Sequence, residues 1–161
     1  MRLLVFVLAL AACTSTAPPT PTETVCPDPD PGTLTWDSFG QKFMTDYCTM
    51  CHSSALSRTQ RNGAPYAHDY DTLKSVLYIP DHIDADAGSG PAAHNTHMPP
   101  DRCPSTPGGA LDRNCAKPTD EERTNLSLWL ACERNRPHML KHWFPPMEEF
   151  CLVRPAALAA P

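Results

Sequence analysis

Nineteen prolines in 161 residues set the first limit on how this chain folds. Each proline fixes its own φ and offers no backbone donor, so a long regular element cannot run through one. They are densest outside the stretch from about Trp36 to Glu133, and much of the remainder reads as linker around one small domain. The length suits a single domain with tails. The formal net charge is −5, and no run of Lys or Arg interleaves with aromatic residues. That excludes the electrostatic footprint of a nucleic-acid binder.

The first residues point to export. Arg2 precedes an apolar run from Leu3 to Leu10, and small residues follow in Leu10-Ala11-Ala12-Cys13. Residues 1–12 read as a secretory signal, because the run is far shorter than the ~20 residues a membrane-spanning helix needs. The last four residues resemble the lipobox of bacterial lipoproteins. The resemblance implies cleavage before Cys13, a lipid on that cysteine, and, with Thr14 rather than Asp next, an outer-membrane location facing the periplasm. Residues 13–35 follow as linker. From Thr14 to Thr33, six residues are Thr and six are Pro, and Val25 is the only sizeable aliphatic side chain. Nothing there offsets the entropy of ordering, so the segment is expected to be an extended tether.

The domain is expected over residues 36–133. Phe39, Phe43 and Tyr47 recur at i, i+4 and i+8, which predicts a helix with three aromatics on one stripe, running into the cysteines that follow. A second helix is expected near Tyr70 to Tyr78, where Leu73, Val76 and Leu77 share a face and Pro80 stops it. The last is the clearest. Thr119 and Glu122 make a capping box after Pro118, and Leu126, Trp129 and Leu130 repeat at helical spacing. No segment alternates with a strand's period, so the fold class is expected to be all-α with long Pro- and Gly-rich loops.

The chemistry lies in Cys48-Thr49-Met50-Cys51-His52. On a helix, residues three and four apart share a face, so two thiols and an imidazole can address one flat ligand. This spacing reads as a c-type haem attachment site, with thioethers from Cys48 and Cys51 and an iron bond from His52. A bare Cys-x-x-Cys is also the signature of a thioredoxin-like redox pair, which wants a βαβ setting and no following histidine. A structural zinc site wants a second ligand pair, and Cys103 and Cys115 have no close histidine.

From Trp36 to Cys132 the chain resembles class I cytochromes c, which implies one covalent haem wrapped by helices. Gly40 and Phe43 resemble the residues that let the first and last helices of that family approach closely, and Trp129 resembles the aromatic opposite them. Pro65, in Gly63-Ala64-Pro65, sits where the family's proline carbonyl accepts the other imidazole N–H. Met98, in His97-Met98-Pro99-Pro100, resembles the distal methionine. His97 beside it, and His94, His82 and His68, are competitors for that place. His68 with Asp69 and Asp71, and Asp81 with His82, read as exposed or helix-flanking polar residues.

Cys26, Cys103, Cys115, Cys132 and Cys151 remain, and in an oxidising compartment disulfides are expected. Cys103 with Cys115 would close the loop after Met98, while Cys132 could meet Cys26 or Cys151. Residues 134–161 form an extension, whose Met139, Leu140, Trp143 and Phe144 are expected to pack on the domain or on a partner. The function expected from the resemblance is electron transfer with redox proteins of the periplasm, at a membrane reached through the lipid, and not catalysis. The alternative is a ligand-binding or peroxidase-like haem protein with an open sixth position.

Overall fold

The computed structural model describes residues 18–136. The expectations for Cys13, for Cys151 and for the apolar residues after His138 fall outside that range.

Helix α1 is one continuous run in three pieces, a π-helical Trp36–Gly40, an α-helical Gln41–Phe43 and a π-helical Met44–Cys48. Thr35 opens it by accepting from the Ser38 N–H, while the Ser38 hydroxyl accepts from the Thr35 N–H. The Gly40 and Thr49 N–H groups reach back five residues, to Thr35 O and Met44 O, so each widened turn holds one residue more than an α-turn. The aromatic stripe survives this widening. Phe39 and Phe43 have ring centroids 5.6 Å apart, and Phe43 and Tyr47 stand edge to face at 5.0 Å.

Helix α2 (Leu73–Val76) is only one turn, opened by Thr72 and Ser75 in a second reciprocal cap. Helix α3 (Pro80–Ala87) then begins on the proline that was expected to end a helix. Both roles follow from the same chemistry: proline lacks a donor, and the first helical position is where none is needed. Helix α4 (Asp120–Glu133) starts at the expected capping box of Thr119 and Glu122.

The described fold is helix-rich but not purely helical. Strands β1 (Cys103–Pro104) and β2 (Leu111–Asp112) pair antiparallel, Cys103 opposite Asp112. Two-residue strands are too short to show alternation, and a Cys103–Cys115 disulfide closes this hairpin.

The core forms where α1 crosses α4. Phe43, Met44, Val76, Ile83, Leu126, Trp129 and Leu130 are all buried together. Fully burying side chains of this kind contributes about 1.5–3 kcal/mol each. At the crossing a Cβ on Gly40 would stand 2.4 Å from Trp129 Cζ2, so only a glycine allows this approach. Trp36 and Phe39 pack on the same indole, each 6.1 Å away, and its Nε1–H donates to Glu133.

The segment read as an extended tether is, in its described part, attached to the domain. Thr20 and Thr22 are buried, and the Thr22 N–H donates to Asp84 Oδ2 at 2.7 Å. Cys26 is bonded to Cys132, and Arg136 pairs with Asp30 at 2.9 Å. Composition misled because threonines substitute polar contacts for the missing aliphatic ones. Among the described residues no helix is long and apolar enough to cross a membrane.

Candidate cofactor site

The end of α1 delivers Cys48, and the chain turns there. The Cys51 and His52 N–H groups both donate to Cys48 O, at 3.1 and 2.9 Å, so the five-residue motif closes into one compact turn. Cys48, Cys51 and His52 all line a cavity of about 350 Å³, within the range of small-molecule sites. Phe43, Ile83, Ala87 and Pro99 give it apolar walls, and Met98 lines it as well. His97 is exposed and does not contribute to that lining. His94 is engaged elsewhere, with Ser89 and Asp120.

Cys48 and Cys51 are free thiols, whereas the other four described cysteines form Cys26–Cys132 and Cys103–Cys115. Burial pushes the Cys48 thiol up to about 12 and raises Cys51 as well. A redox-active pair of the thioredoxin kind needs the opposite shift, because its attacking group is a thiolate. Zinc is no better served, since Cys103 and Cys115 hold each other. Cys26 and Cys132 lie beside Asp30, but their sulfurs are likewise in a disulfide and offer no thiolate.

His52 is oriented by its Nδ1, which lies 2.9 Å from the carbonyl oxygen of His68. A carbonyl only accepts, so Nδ1 carries the proton. Burial also lowers the imidazole's basicity, which favours the neutral ring with a lone pair on Nε2. The sequence had assigned this acceptor to Pro65. The Pro65 carbonyl instead accepts from Arg61 Nη2 at 2.6 Å, because the loop turns through Ala67 at φ 68° and presents the next carbonyl to the ring. Tyr70 stacks on His52 with centroids 4.7 Å apart, and its N–H donates to His52 O.

Arg61, only 1% exposed, holds the whole loop. It donates to the carbonyls of Ser53, Ala64, Pro65 and His68 and to Asp69 Oδ1 at 2.6 Å. Sequence reasoning passed over Arg61 because its partners are main-chain atoms, which no residue pattern displays. Tyr70 was missed as a lining residue for the same reason of distance in sequence. It is 6% exposed and borders the cavity.

The donor set is thus two protonated thiols, the oriented imidazole of His52, the imidazole of His68, the thioethers of Met98 and Met50 and the Asp86 carboxyl, within walls that are mostly apolar. It suits a flat apolar group that is gripped at its edge and ligated at its centre. No protein-family model, curated protein or solved structure matches this chain.

Proposed function

We propose that the protein is a c-type cytochrome, carrying one covalent haem for electron transfer in the cell envelope. The observation that carries this reading is the convergence of Cys48, Cys51 and His52 on one apolar cavity, with both thiols unpaired beside two disulfides. Cys48 and Cys51 would hold the group through thioethers formed by adding their S–H across its two vinyl groups, with no by-product, and His52 Nε2 would ligate the iron. Met98 would supply the other ligand, favoured over His97 because it lines the cavity and His97 does not. Haem supplies the one-electron couple; the chain supplies ligands, exclusion of water and a rigid frame. The likeness to class I cytochromes c rests on the same motif and on the glycine–tryptophan crossing of α1 and α4.

The export signal and the lipobox-like Leu10-Ala11-Ala12-Cys13 support an anchor on Cys13 and a location at the outer membrane, facing periplasmic redox partners. The formal charge of −5 favours a basic partner surface.

A second reading is favoured by one observation: the Met98 residue is 40% exposed, so the sixth position is one that a ligand could vacate. The protein would then bind small diatomic ligands or turn over peroxide. One set of spectra decides between these readings. Protein made in cells with haem-attachment machinery should show, oxidised and reduced, the bands of a six-coordinate haem that survives denaturation on the chain. Carbon monoxide should leave the reduced spectrum nearly unchanged; a prompt shift selects the second reading, and a chain with no haem defeats both.

A further inference from the structure

We infer that Arg123 is a positioning residue that seats Met98, and so decides which of two adjacent side chains, Met98 or His97, reaches the cavity. This rests on the proposed His52/Met98 ligation.

Arg123 lies on the buried face of α4, one turn before Leu126 and Ser127, and is 4% exposed. A charged group there needs strong partners to offset its lost hydration. Among the described residues no carboxylate lies within ion-pair distance of it. Its partners are carbonyls: Nη1 lies 2.9 Å from each of Ala87 O, Asn95 O and Met98 O. Ala87 is the last residue of α3, where carbonyls lack helical partners and the helix dipole is negative, so the cation is well placed. The other two carbonyls belong to the segment that carries the methionine.

The consequence for Met98 is specific. Its N–H donates to Asp86 O at 3.0 Å and its carbonyl accepts from Arg123, so both of its main-chain polar groups are held and only the thioether arm is free. Lys117 continues the pattern, with Nζ donating to the carbonyls of Pro99 and Pro100. Contacts to main-chain oxygens fix the register of a loop whatever its side chains are. His97 is exposed immediately before Met98, and a loop free to slip by one residue would offer its imidazole instead. All three acceptors meet at the one nitrogen Nη1, so a lysine ammonium, with three donors on one atom, could serve part of this set, whereas a methionine could serve none of it.

The test uses the full chain matured with haem, as wild type, R123K, R123M and V76A. Val76 is fully buried away from the cavity and controls for simple loss of stability. Wild type should show the near-infrared sulfur-to-iron band. In R123M the six-coordinate sulfur-ligated fraction should fall, and carbon monoxide should bind the reduced protein about tenfold faster or more, with haem per chain unchanged, while R123K should restore part of both. The Asn95 and Met98 amides should exchange hydrogen about tenfold faster in R123M and less so in R123K. V76A should unfold more easily yet keep the band. The role of Arg123 is overturned if R123M keeps both the band and the slow exchange, or if V76A loses the band equally. A wild-type protein with covalent haem but no sulfur band overturns the ligation itself, and this role with it.

Discussion

Six cysteines in the described chain meet two different fates, and side-chain environment separates them. Four are close enough in space to pair, while Cys48 and Cys51 stand on one cavity wall with thiols kept protonated by burial. Replacing both by Ala should leave a chain that gives no haem-dependent peroxidase stain on a denaturing gel; stain at the protein's mass would refute the attachment. The sixth ligand is tested by a pair of variants. Met98→Ala should eliminate the near-infrared band, lower the potential by removing a soft ligand that favours Fe(II), and open the iron to carbon monoxide. His97→Ala should change little. If the responses are exchanged, the site is bis-histidine.

The crossing of α1 on α4 sets the shape of the cavity from behind, and one hydrogen atom makes it possible. Gly40→Ala places a methyl against a fully buried indole, and because Trp129 has no room to yield, the loss should be about 1–3 kcal/mol or more in a urea titration. Glu122 ties the same two helices together at their other end, capping α4 while accepting from Tyr47 Oη at 3.0 Å. Burial raises its carboxyl, but hydrogen bonds from Thr119 and Tyr47 outweigh this and hold it below the ordinary value. A carboxyl lowered on folding contributes stability above its unfolded pKa of about 4.3, and that contribution is lost as pH falls through the folded value. Glu122→Gln should therefore cost about 1 kcal/mol at neutral pH and show a shallower acid loss than wild type below about pH 4, read from denaturant midpoints. Burial, then Glu122, pushes the Tyr47 phenol up to about 12, so its share is full below about pH 10 and is lost progressively as pH rises from there through about 12. The stripe of α1 and the cap of α4 were legible in the sequence because each rests on residues within eight positions of one another. Helix α3 was not, since Ile83 and Ala87 are its only buried apolar residues and its start, Pro80, equally signals an end. The motif residues of the site were legible, but Arg61, Arg123 and the His68 carbonyl act through backbone oxygens and leave no trace in residue order.

Across the whole molecule the Cys26–Cys132 bond joins positions 106 residues apart and fastens the N-terminal segment to the last turns of α4. Loop-closure entropy gives such a link about 4–5 kcal/mol as an upper figure. Cys26→Ser with Cys132→Ser should lower stability by a few kcal/mol and make residues 20–26 susceptible to limited proteolysis, because only hydrogen bonds, from Thr22 to Asp84 and from the Ala92 N–H to Thr22 O, then hold the strap. Intact resistance in that variant would show that the threonine contacts suffice. The same fastening changes the geometry of the proposed anchor. A free chain from Cys13 to Trp36 could reach roughly 80 Å, whereas from Cys13 to the first buried contact at Thr20 it spans no more than about 25 Å. Were Cys13 lipidated, so short a leash would keep the domain in a thin layer over the lipid, with the α3 and α4 side, where the strap enters, turned toward it. Encounters with a donor or acceptor would then become a search in two dimensions, and the partners best suited to it would be bound to the same sheet of membrane.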